Sequence, residues 1–238
     1  LLPAIITRLV SRIEAAGGTV RTSVRAEDFE VREDKLAGVW ASGELLDTGV
    51  VVLAIGHSAR DTWAALRARG IAMEPKPFQL GVRAEHPQAW LDERQYGIAA
   101  GHPSLGAADY KLTAKPNGVP VFSFCMCPGG ETIPTVNEIG HLCLNGMSKN
   151  ARDSAFALSG LVVTLTPEMY GGRDLDTCLS FVRGIEARCF SAGGSSYSAP
   201  GQRIAEFAGG HTKRPSPLPR SSYRLGAIAC ALDTVLPA

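Results

Sequence analysis

Cys125 and Cys127 stand one residue apart at the end of the apolar stretch Phe122–Cys127, and Pro128-Gly129-Gly130 follows at once. Alternate residues of a strand share a face, so both thiols are expected on one side. A thiol pair so placed can exchange electrons, and a glycine pair at a strand end offers bare backbone to a flat cofactor. Two buried cysteines acting as small apolar side chains satisfy the same spacing. The second candidate is Gly56-His57-Ser58-Ala59-Arg60-Asp61, which follows the apolar run Val50–Ile55. A strand that turns through glycine into a helix aims free N–H groups and a partial positive charge at the turn, which suits a phosphate or pyrophosphate. Ser58 is equally suited to be a plain helix N-cap, with Asp61 closing a capping box. Gly56-His57-Ser58 also begins like a hydrolase nucleophile elbow, but that tight turn needs a small residue where Arg60 stands. Asn145-Gly146 reads first as a turn. Lys213, Arg214, Arg220 and Arg224 read as a solvated basic loop.

Several elements must position these groups. Ile5, Ile6, Leu9, Val10 and Ile13 recur at helical spacing, and Gly17-Gly18 is placed to end that helix. Thr19–Val24 alternates as a strand. Short strands follow at Phe29–Val31, Ala37–Trp40 and Glu44–Leu46, with turns at Asp34-Lys35 and Ser42-Gly43. Val50–Ile55 is rich in β-branched residues and predicts a strand buried on both faces of a sheet. A second amphipathic helix is expected from Ala59 to Arg69. Pro75 and Pro77 punctuate a linker. Beyond it Phe78–Ala84 reads as a strand, Tyr110–Thr113 and Val119–Phe124 as a hairpin across Pro116-Asn117-Gly118, and His141–Leu144 and Leu161–Leu165 as further strands. Leu179–Phe190 reads as a helix, Ile204–Ala208 as one helical turn and Gly209–Ser222 as loop.

Composition narrows the function classes. At about 150 residues per domain, 238 residues make one to two domains. A 45% hydrophobic and 20% charged composition is that of a globular protein. A net charge of +1 is too weak a field to drive binding to nucleic acid or anionic lipid. No apolar run approaches the roughly 20 residues of a membrane span, and no signal-peptide pattern is present. The six cysteines lack paired ligand spacing, so no metal site is expected, and a reduced, cytoplasmic protein is.

Six stretches, in this order, resemble the bacterial family of uncharacterised FAD-dependent dehydrogenases, within the flavoproteins that carry two dinucleotide-binding motifs. They are Ala54–Thr62, Met73–Val82, Leu105–Thr113, Phe122–Gly130, Asn145–Ser148 and Ser222-Tyr223. The resemblance implies an α/β chain of mixed α+β character. Residues 1–71 would be part of a Rossmann-like FAD-binding domain with a small β-meander, 72–208 a mixed-sheet substrate domain, and 209–238 a segment returning toward the FAD domain. It implies that the backbone at Val24 lies near the adenine, that Ala54, Gly56, His57 and Ser58 surround the ribose and pyrophosphate, and that Cys125–Gly130, with Gly129 and Gly130, approaches the flavin ring.

The implied activity is FAD-dependent oxidoreduction of a small organic substrate, with a nicotinamide or other electron partner unassigned. Cys125 and Cys127 are the candidate catalytic thiols. The other class of function is a non-catalytic binding or assembly module that keeps the fold. The glycine fingerprint and the Gly-rich flavin segment of such proteins are not in this sequence. The chain is therefore expected to be the middle of such a protein, to need the missing segments of its FAD domain, and alone to hold FAD weakly and be inactive.

Overall fold

A computed structural model describes residues 2–210 and 214–237. The chain divides between Met73 and Glu74 into two compact units. The fold is of the mixed α+β class, built on several antiparallel sheets.

The first unit opens with α1, Leu2–Ala15, whose apolar face (Ile5, Ile6, Leu9, Ile13) is exposed. It ends where expected: the Gly18 N–H donates to Ile13 O and the Gly17 N–H to Glu14 O, both at 2.9 Å, the paired bonds of a Schellman cap. A three-stranded antiparallel meander follows, β1 (Ala26–Arg32), β2 (Lys35–Ala41) and β3 (Glu44–Asp47). Its first turn sits at Glu33-Asp34, one residue before the expected place, with both residues at positive φ as a primed hairpin turn requires. The helix α2, Arg60–Ala68, buries Leu66, while β1 buries Phe29 and β2 buries Ala41. Arg69 clamps α2 to β1 through Asp28, with Nε at 3.1 Å from one carboxylate oxygen, and this holds the Asp28 carboxyl below its usual range.

Two expected strands of this unit are absent. Residues 19–24 have no regular structure: β2 ends opposite Ala26 and no described strand pairs with the earlier residues, although the Arg21 side chain reaches Glu44 at 2.6 Å. Val50–Ile55 is not a buried strand either: Val50 is 80% and Val52 87% exposed. A β-branched run becomes a buried strand only where neighbours complete its ladder and cover its faces, and no described strand pairs with it.

The second unit is organised around β4 (Phe78–Pro87) and β9 (Phe156–Leu165), paired antiparallel over ten residues from Phe78 opposite Leu165 to Pro87 opposite Phe156. β6 (Val121–Cys127) lies on the other side of β9, and β5 (Thr113–Ala114) forms the expected hairpin with β6. A separate pair, β7 (Gly130–Thr135) and β8 (Cys143–Ser148), is antiparallel. Asn145-Gly146 therefore lies inside a strand and not in a turn.

Helix α3 (Gln88–Tyr96) was not legible in the sequence pattern. It packs Leu91 against Ala108 and Ala157, with Tyr96, Tyr110 and Met126 around them. A second core joins Leu165, α4 (Pro167–Tyr170) and Cys178 of α5 (Leu175–Ala192), flanked by Phe78 and Phe181. Asp174 caps α5 by accepting from the Thr177 N–H at 3.0 Å. After α5 come β10 (Ala199–Gly201), the short helix α6 (Ile204–Ala208) and β11 (Ala227–Ala229), which pairs parallel with β10. Among the described residues no helix is long and apolar enough to cross a membrane.

Candidate functional site

The turn at residues 54–61 presents its candidates to solvent. Ala54, Gly56, His57 and Ser58 are exposed, and Val24 is half-buried. Gly56 has φ +69°, and a side chain added there would meet no atom within 4 Å. Only glycine takes this left-handed conformation cheaply, and the space above it is open. The cap of α2 falls one residue later than expected, at Ala59, which offers no side-chain hydrogen bond, while the Arg60 N–H bonds back to Ser58 O at 2.9 Å. Asp61 is held below the usual carboxylate range by the Thr62 N–H and by an ion pair to Arg25.

The Cys125–Gly130 segment differs from the expected regular strand end. Phe124 pairs with Gly160 but Cys127 pairs with Leu158, so one extra residue is accommodated between them. This bulge puts Cys125 at φ +50° and reverses the alternation. Cys125 is exposed, Cys127 is 6% exposed, and the Cys127 thiol lies 3.3 Å from the Cys125 carbonyl. The two thiols therefore do not share a solvent face. Burial pushes the Cys127 thiol up, the neighbouring Cys125 adds to this, and Arg83 and Ser148 oppose it.

Gly129 and Gly130 do not offer open backbone. Both are buried. Gly129 has φ +51°, and a side chain there would lie 1.8 Å from the Arg152 carbonyl oxygen. Its N–H donates to Gln88 Oε1 at 2.7 Å, and the Gly130 carbonyl accepts from Ser154 Oγ at 2.7 Å. The close approach that glycine permits is taken by the 152–154 backbone.

Several motif segments meet around β4. Arg83 Nη2 donates to Asn145 Oδ1 at 3.2 Å, and Arg83 Nη1 is buried without a hydrogen-bond partner among the described residues. A side chain at Gly146 would lie 2.4 Å from both Arg83 Nη1 and Leu158, and 3.0 Å from the Cys127 sulfur, which is why β8 carries glycine there. Glu85 accepts from the Ser222 N–H at 3.0 Å, from Thr132 Oγ1 at 3.1 Å and from the Ser222 hydroxyl. Thus Phe122–Gly130, Asn145–Ser148 and Ser222 are gathered by Arg83, Glu85 and Gln88. The sequence signal was two charges, Arg83 and Glu85, in alternate positions of the strand β4.

Beside the bulge, a cavity of about 460 Å³ is lined by Tyr110, Lys111, Phe122, Phe124, Cys125 and others. It gives Cys125 an apolar-walled space in which a bound molecule could reach the thiol. Among the described residues no group of three or more His, Cys, Asp or Glu is arranged to hold a metal. Of the basic loop, Lys213 lies outside the described residues, Arg214 and Arg220 are exposed, and Arg224 pairs with Glu131 at 2.9 Å.

Comparison with known proteins gives this geometry its family. The chain is 39% identical over 209 residues to an uncharacterised protein of Clostridium beijerinckii, covering 87% of this chain and 39% of the relative's length. Residues 77–238, nearly the whole second unit, match the family described as FAD-dependent protein, C-terminal domain-like, and the chain belongs to that family.

Proposed function

We propose that the chain is part of an FAD-dependent oxidoreductase acting on a small organic substrate. The family match over residues 77–238 carries this reading. The residues of the chain differ in how well they suit the cofactor. The turn at Gly56 suits a pyrophosphate, because its backbone is exposed, left-handed and unobstructed. Ala54, His57 and Ser58 would border the ribose and phosphates, and Val24 the adenine. Cys125, exposed on the bulge beside the 460 Å³ cavity, suits the neighbourhood of a flavin ring. Gly129 and Gly130 suit it less, since backbone of the chain fills their open side. When bound, the flavin would supply the hydride or electron acceptor. The chain would orient substrate and ring, and Cys127, buried with its thiol pushed up, would serve packing rather than electron exchange.

The test is the absorbance spectrum of the purified intact open reading frame and of residues 1–238, each incubated with FAD and passed through gel filtration. Flavin bands retained by the intact frame, and little or no retention by residues 1–238, are the expected results. A well-folded but colourless intact protein would overturn the reading in favour of a non-catalytic module. Stoichiometric FAD on residues 1–238 would overturn weak retention by this chain.

A further inference from the structure

A second recess lies within the second unit and shares Tyr110, Lys111 and Leu112 with the cavity beside Cys125. It has a volume of about 830 Å³, within the range of small-molecule sites, and three of its walls are rings: His86 at the end of β4, Trp90 on α3, and Tyr110. His86 and Tyr110 stack with centroids 5.5 Å apart and planes 21° from parallel, and Trp90 meets His86 edge-on at 5.5 Å. The apolar surface here is not consumed by packing. Trp90 is 48% exposed, and Leu112 and Ile204, which also line the recess, are each 53% exposed.

Polar groups at the recess are equally specific. His86 Nε2 is buried without a hydrogen-bond partner among the described residues. A buried ring nitrogen left unpaired is costly, and a ligand atom can satisfy it. Lys111 is the charged residue among the lining side chains, and no carboxylate lines the recess. Of the nearby carboxylates, Asp92 accepts from Gln88 Nε2 and the Ala108 N–H, Glu85 is held by Ser222 and Thr132, and Asp109 is exposed and lines the adjoining cavity instead. Arg94 adds a second cation at the outer edge, its guanidinium 5.8 Å from the Trp90 ring centroid.

We infer that this recess binds a flat aromatic molecule carrying a carboxylate, its ring against Trp90 and the His86–Tyr110 stack and its anion toward Lys111. Ring contacts supply most of the binding, since aromatic pairs add to plain area burial. The Lys111 ammonium supplies the choice of an anion over a neutral ligand of the same shape. No part of the inference requires bound flavin.

The experiment is calorimetric titration of residues 1–238 with 2-naphthoate and with its neutral counterpart 2-naphthamide. Naphthoate is expected to bind one to one and more tightly than the amide. Lys111→Met should weaken naphthoate roughly tenfold and leave the amide unchanged, as loss of one partly solvated charge contact implies. Trp90→Ala should weaken both ligands by up to about tenfold. Lys111 is exposed, and Trp90 is half-exposed and outside the buried core, so circular dichroism spectra should match that of the parent chain. Absence of binding, equal affinity for acid and amide, or indifference to Trp90→Ala would each overturn the inference. So would displacement of naphthoate by FAD, because Tyr110 and Lys111, shared with the cavity beside Cys125, would then belong to the cofactor's seat.

Discussion

Glu85 and Ser222, 137 residues apart in the chain, are joined twice: the Ser222 N–H and its hydroxyl both donate to the Glu85 carboxylate. Thr132 on β7 donates a third bond to the same group, and the Thr132 N–H donates to Ser222 Oγ at 2.8 Å. One carboxylate thus ties the central sheet, the β7–β8 pair and the segment after residue 221 together. Removing it leaves three donors without their acceptor. Glu85→Ala should destabilise the second unit by about 2–3 kcal/mol, as loss of charge-assisted bonds at a half-buried position does. Glu131→Gln, which weakens pairs with the exposed cations of Arg224 and Lys149, should cost less than about 1 kcal/mol. Urea unfolding of the two variants measures the contrast, and equal midpoints would contradict it.

Two of the left-handed glycines, Gly129 and Gly56, should respond differently to alanine. At Gly129 a methyl group collides with the Arg152 backbone, which cannot swing aside as a side chain can. Gly129→Ala is expected to cost about 3 kcal/mol or more. At Gly56 the space is open, so Gly56→Ala should cost only the conformational strain, about 1 kcal/mol. Thermal unfolding of both variants reads the difference.

A branched side chain at the same turn tests the cofactor reading. In the intact, FAD-loaded protein, Gly56→Val should lower flavin occupancy well below that of Ser58→Ala. Flavin-to-protein absorbance ratios are the measurement. Equal occupancy in two folded variants would remove residues 54–58 from the cofactor's surroundings.

Thiol reactivity should follow burial rather than sequence proximity. Thiolate is the reacting form, so a raised thiol pKa suppresses alkylation at a given pH. Cys125 is exposed, whereas burial pushes the Cys127 thiol up and pushes Cys189 up to about 12. Limited iodoacetamide treatment near neutral pH should label Cys125 before Cys127 and Cys189. Peptide mass mapping checks the order, and prior labelling of Cys127 would mean that the bulge opens in solution.

Acid should weaken the second unit through His86. Burial holds its imidazole below the ordinary 6.5, against the opposing pull of Glu85. The unfolded chain therefore takes up the proton first. The stability that His86 contributes is complete above about pH 6.5 and is lost as pH falls through the lowered folded value. His86→Phe should flatten that part of the stability profile, measured by urea midpoints at stepped pH.

Patterns that depend on local chemistry were legible in the sequence. The apolar repeat of α1, the Gly17-Gly18 cap, the β1–β3 meander and the β5–β6 hairpin all form close to their expected residues. Features decided by remote neighbours were not. Val50–Ile55 has strand composition but no described strand pairs with it. β7 contains Gly130, Thr132, Pro134 and Thr135, which read as loop until β8 supplies a ladder. Helix α3 has polar residues on nearly every side, so its periodicity is weak. At the candidate site, the alternation rule placed Cys125 and Cys127 together, and a single bulged residue separated them. Arg83 and Glu85 escaped notice because their partners, Asn145 and Ser222, are 62 and 137 residues away.

The uncovered Val50–Ile55 run also predicts how the chain should behave in a test tube. It is six residues long, free of charge and proline, and rich in valine and isoleucine. Such segments stack between molecules as in-register cross-β ladders. Two chains meeting at this segment can satisfy backbone groups that neither satisfies alone, so self-association will steepen with protein concentration. A single lysine in place of Val52, the most exposed residue of the run, would act as a gatekeeper against that stacking while leaving every described core contact in place.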